Sequence, residues 1–181
     1  MLPMRLLAQI DVLADERLQA RIARLSVATL AVGLAVCVAV GLEAGVGSLG
    51  SPWWWIVLVV GSLLALFAHE LVHAVAFKLL CPGCKVSFGA QSLFLYTNAH
   101  GATLTRARMT CVLLAPAVLV TLALAACACA DGQALLAAAF AALHVSGCVG
   151  DALMVAEAWA EPSCTHVRDT DCGIELLAAE P

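Results

Sequence analysis

Apolar residues run along this chain in long stretches broken by single charges, not in the alternation of strands or the three-to-four spacing of soluble helices. Four stretches contain no Lys, Arg, Asp or Glu: residues 25–42, 44–68, 109–130 and 132–150. About 20 apolar residues in a helix cross a bilayer core, so the pattern predicts four spanning helices. The first and fourth are short by themselves and extend into flanking residues. Trp53, Trp54 and Trp55 follow Pro52 and predict an aromatic belt at the outer end of the second span. Cys81-Pro82-Gly83-Cys84 stops that helix.

The remaining segments carry weaker patterns. Leu6, Leu7, Ile10, Leu13, Leu18, Ile22 and Leu25 are spaced for an amphipathic helix lying on the membrane and leading into span one. Asp11, Asp15 and Glu16 among the arginines there argue against a cleaved signal peptide. Residues 86–104 are too polar to span. Their β-branched and aromatic content predicts one or two short strands, a hairpin with residues 98–101 in the middle. The expectation is an all-α membrane protein of four transmembrane helices, with a short β-hairpin-like segment between helices two and three. Residues 1–24 form the N-terminal helix, 25–160 the membrane domain and 161–181 a polar tail.

Composition agrees with the pattern. The chain has 181 residues, 12% of them charged, and a mean hydropathy of +0.99, which excludes an ordinary soluble domain. A net charge of -4 offers no footprint for nucleic acid. Its nine Lys and Arg (Arg5, Arg17, Arg21, Arg24, Lys78, Lys85, Arg106, Arg108 and Arg168) fall on one side of the four-span map. Both termini are therefore expected in the cytoplasm, in a multi-pass cell-membrane protein. Five of nine cysteines (Cys37, Cys111, Cys127, Cys129 and Cys148) lie in spans, where they act as small apolar residues. Cys81, Cys84, Cys164 and Cys172 lie on the reducing side.

His69-Glu70-Leu71-Val72-His73 closes the second apolar run. On a helix the two histidines share one face a turn apart and can bind one zinc, while Glu70 reaches water at the metal as general base. Ionisable groups at membrane depth are costly, which favours a functional reason for them. A zinc site needs a third protein ligand. Counted from the outer face at about 1.5 Å per residue, Asp151 reaches the depth of His69. His144 falls about 10 Å nearer the outer face and Glu157 about 9 Å nearer the inner one. Depth selects Asp151 and leaves His144 as a hydrogen-bonding intramembrane histidine. Asn98 and His100 could assist substrate or oxyanion binding, with a turn role favoured for Asn98. Cys81 and Cys84 have half the spacing of a second zinc site with Cys164, His166 or Cys172, but a helix-ending turn is favoured.

The run His69-Glu70-Leu71-Val72-His73-Ala74, followed in order by Phe88-Gly89, Tyr96, Leu114-Ala115-Pro116, Gly150-Asp151 and Asp171-Cys172-Gly173, resembles the putative zincin peptidase family of small bacterial integral-membrane proteins. The similarity covers residues 53–174. That family is similar in layout to the site-2 protease clan of intramembrane metalloproteases. The resemblance implies Zn2+ held by His69, His73 and Asp151, with Glu70 as catalytic base. The expected partners are the lipid bilayer and a peptide or membrane-protein substrate, cleaved at or near the cytoplasmic membrane face. The clan's Asp-Gly ligand motif is reversed here, Gly150 preceding Asp151 and Ala152 following it. The rival readings are a non-catalytic protein with a structural or sensory metal site and a metal transporter.

Overall fold

The computed structural model describes residues 4–12, 14–91, 94–171 and 173–180. Three long helices dominate: α1 (Glu16–Ala44), α2 (Pro52–Leu80) and α3 (Arg106–Ala130). Each is long and apolar enough to cross a membrane. The fourth expected span is broken. It consists of α4 (Ala134–Gly147) and α5 (Val149–Ala160), bent by 50° at Cys148. Leu34, Val36 and Val38 on α1 and Leu63, Leu64 and Phe67 on α2 are exposed, as suits side chains that face lipid. The chain is a membrane protein with three such helices, or four where the bent pair counts as one.

Local chemistry sets the helix ends. The Asp15 side chain accepts from Arg17 N and Leu18 N at 2.9 and 3.1 Å and starts α1. Pro52 occupies the first turn of α2, where its missing N–H costs nothing. At the other end of α2, Gly83 takes φ +96, a left-handed conformation that reverses the chain. The short α4 packs against α1, α2 and α3. Two glycines permit that closeness: a Cβ on Gly33 would lie 2.5 Å from Ala142 Cβ, and one on Gly61 2.6 Å from the Phe140 ring.

A four-stranded antiparallel sheet, in the order β1 (Met4–Asp11), β6 (Gly173–Ala179), β5 (His166–Thr170) and β4 (Thr103–Thr105), adjoins one end of the bundle. Its strands precede α1 and α3 and follow α5, so they gather where those helices begin or end. The fold is therefore not all-α. Residues 4–11 are a strand and not part of an amphipathic helix, and helix begins only at Glu16. The polar tail is also folded, with Val167, Ile174, Leu176 and Leu177 buried. The edge of β6 decides the first case: Met4 to Asp11 pair with Ala179 to Gly173, and cross-strand bonding overrides the local helical spacing.

The hairpin expected within residues 86–104 is present as β2 (Ser87–Gln91) paired with β3 (Phe94–Asn98). Its last pair is Gln91 with Phe94. Residues 98–101 instead turn the chain from β3 to β4, through His100 at φ 45 and Gly101 at φ 77. One core joins bundle to sheet through Phe77, Met109, Val112, Val167 and Ile174. A second, around Trp54, Leu136 and Phe140, fills the other end.

Candidate metal centre and active site

His69 and His73 lie one turn apart on α2, and Asp151 lies in the first turn of α5, just after the break. Their ligand atoms converge. His69 Nε2 is 3.0 Å from His73 Nε2 and 3.2 Å from Asp151 Oδ2, and His73 Nε2 is 3.6 Å from the same oxygen. Three ligands on a tetrahedral zinc, at about 2.0–2.1 Å each, stand roughly 3.3 Å apart. The triangle fits. The side chains are only 14%, 9% and 15% exposed.

Hydrogen bonding sets the donor chemistry. His73 Nδ1 lies 3.0 Å from the Val112 carbonyl oxygen on α3. A carbonyl only accepts, so Nδ1 carries the hydrogen and Nε2 keeps its lone pair for the centre of the triangle. Behind His69, Nδ1 lies 3.4 Å from His144 Nε2, and His144 Nδ1 lies 2.8 Å from Thr121 Oγ1. With His69 Nε2 turned to a metal, Nδ1–H donates to His144, which donates in turn to Thr121. The Cys148 thiol donates to the His144 carbonyl at 3.1 Å. His69, His144 and Cys148 form a second close group of possible ligands, but it shares His69 with the first.

Glu70 follows His69 and faces β3. The Thr97 hydroxyl reaches its carboxylate Oε2 at 2.7 Å and its backbone oxygen at 2.9 Å. One wall of a cavity of about 560 Å3 contains His69, Glu70, His73 and Asp151. The lining also includes Leu95, Tyr96 and Thr97 of β3, Asp169 and Asp171 from the sheet end, and Ile22 and Ser26 of α1. The carboxyl of Asp169 is buried, which raises it to about 6 despite a bond from Ala99 N–H at 2.6 Å.

The other candidates fall elsewhere. Glu157 pairs with Arg21 at 2.6 Å on the surface and takes no part in the triangle. Asn98 is buried in the turn. Its amide donates to Asp171 Oδ1 at 2.9 Å and its oxygen accepts from His100 N at 2.5 Å. His100 is exposed, with Nε2 2.7 Å from Ser87 Oγ. Among the described residues neither Cys81 nor Cys84 belongs to a group of three possible ligands, and Cys172 lies outside those residues.

Counting along straight helices placed His144 about 10 Å from the level of His69, yet the two rings touch. The bend at Cys148 lets both halves of the broken span reach one histidine from different sides. Thr97, Thr121 and the Val112 carbonyl have no signature as site residues in sequence. Pro116, four residues after Val112, was the one available pointer to that carbonyl.

Neither a curated protein nor a solved structure matches the chain. A sequence model of the family described as putative zincin peptidase matches residues 62–165, a segment that holds the two histidines, Glu70, the hairpin, α3 and the broken span. With the family model covering more than half of the chain, the protein belongs to the putative zincin peptidase family.

Proposed function

We propose that the protein is an intramembrane zinc metallopeptidase, hydrolysing a peptide bond of a membrane-associated substrate near the cytoplasmic face. The observation that carries this reading is the meeting of His69, His73 and Asp151 at zinc-ligand separations, with Glu70 in the same cavity wall. These three residues hold the metal. When bound, zinc supplies Lewis acidity to the attacking water and the scissile carbonyl. Glu70 takes the proton from water and delivers it to the leaving amine. Thr97 holds the Glu70 carboxylate through its hydroxyl.

The hairpin supports a mode of substrate binding. β2 and β3 form a two-stranded sheet, and Leu95, Tyr96 and Thr97 of β3 line the cavity. An extended substrate segment adds to the open edge of β3 as a strand, which straightens it and presents its peptide bonds. The cytoplasmic orientation rests on the nine Lys and Arg gathered on one side of the four-span map.

Glu70→Gln is the decisive variant. It keeps full zinc, while cleavage of reconstituted membrane peptides falls by about 10²–10⁴-fold. Undiminished cleavage in Glu70→Gln, or zinc-loaded wild type that cleaves nothing across a peptide library, would leave the non-catalytic metal protein as the better reading.

A further inference from the structure

Pro116 sits inside α3 and is fully buried. Proline has no backbone N–H, so the carbonyl four residues earlier loses the donor that a regular helix supplies. That carbonyl belongs to Val112, itself wholly buried. A carbonyl orphaned in apolar surroundings is costly and needs another donor. The donor 3.0 Å away is His73 Nδ1. In an intact helix the same oxygen points along the axis to its i+4 partner. Without that partner it is free to turn sideways towards α2.

We infer that Pro116 is a positioning residue for the metal centre: by withholding its N–H it leaves the Val112 carbonyl free to fix the tautomer and orientation of His73. The bond keeps hydrogen on Nδ1 and the lone pair on Nε2, which faces His69 Nε2 and Asp151 Oδ2. The inference rests on the metal-site reading above. It assigns to a helix-interior proline a role that packing alone does not explain.

The test compares full-length protein in detergent with Pro116→Ala and with a backbone ester, lactic acid in place of Pro116. The alanine variant restores the N–H; the ester variant, like proline, has none. Zinc affinity is read by competition with a chelator. Pro116→Ala binds zinc about 10–100-fold more weakly, without losing thermal stability in its metal-free form, because its helix is more regular. The ester variant stays within about threefold of wild type, since nothing competes for the Val112 oxygen. Equal affinity in Pro116→Ala, or an ester variant as weak as the alanine one, overturns the inference while leaving the metal site standing. Wild type that binds no zinc overturns the metal-site reading and this inference with it. Nitrogen-15 shifts of the His73 ring in zinc-loaded wild type give a check that needs no variant. A protonated Nδ1 is expected, and an unprotonated one refutes the assignment.

Discussion

The spanning bundle and the small sheet at its end share one cavity but are specified in different ways. The helices follow from runs of apolar residues that satisfy their own backbone. The strands need partners distant in sequence: Met4 pairs with Ala179, and Thr103 with Arg168. The division extends to the site. The bundle supplies the three candidate ligands and the carbonyl that orients one of them, all in apolar surroundings. Hairpin and sheet supply further parts of the lining, with Thr97 bonded to Glu70 and Asp169 and Asp171 gripping the turn after β3. The candidate ligands thus belong to the bundle, while the hydroxyl that holds Glu70 and the proposed substrate edge belong to the strands.

Substitutions at four positions sharpen or break that division. The largest effect is expected from Asp151→Ala, which removes the one carboxylate of the triangle. Bound zinc should fall from about one ion per chain to a small fraction, read by elemental analysis, with the sheet intact. Full zinc retention would exclude Asp151 as a ligand. Ile174→Ala strikes the other region, at a side chain only 1% exposed where sheet meets bundle. It should cost about 2–4 kcal/mol in unfolding free energy, while the folded fraction keeps its zinc. Zinc loss from folded protein would show that the two regions are not separable.

Thr97→Val tests the contact between β3 and Glu70. A hydrogen bond to a charged group is worth roughly 1.5–3 kcal/mol, so kcat should drop about 10–100-fold with KM and zinc content little changed. Thr97→Ser should retain most activity. A valine variant with normal kcat would make the hydroxyl a bystander.

Asp169→Asn has the smallest effect and tests the clamp between hairpin and sheet. Burial holds the Asp169 carboxyl at about 6, nearby Asp171 adding to the rise, while the Ala99 N–H and the charge of His73 oppose it. The folded value lies above the ordinary 3.8. Stability from the protonated form is therefore complete below about 4 and lost as pH rises through about 6. Wild type should fall behind Asp169→Asn over that window by at most about 3 kcal/mol, read from unfolding at several pH values. Parallel curves would mean that Asp169 ionises freely in the fold.

Sequence by itself determined three long apolar helices, the stop after Leu80, a hairpin within residues 86–104 and the shared face of His69 and His73. Each depends on local chemistry: uninterrupted apolar length, Pro and Gly at a helix end, and the one-turn spacing of His69 and His73. The all-α expectation failed at residues 4–11, where helical spacing yielded to the edge of β6. Only tertiary structure decided the bend at Cys148, and with it the simultaneous approach of Asp151 and His144 to His69. It also decided which groups serve the site without looking like site residues, namely Thr97, Thr121 and the Val112 carbonyl. Spacing within one helix fixes which side chains share a face, but the partners opposite depend on where another helix breaks or a strand pairs, and one chain's local pattern does not contain that.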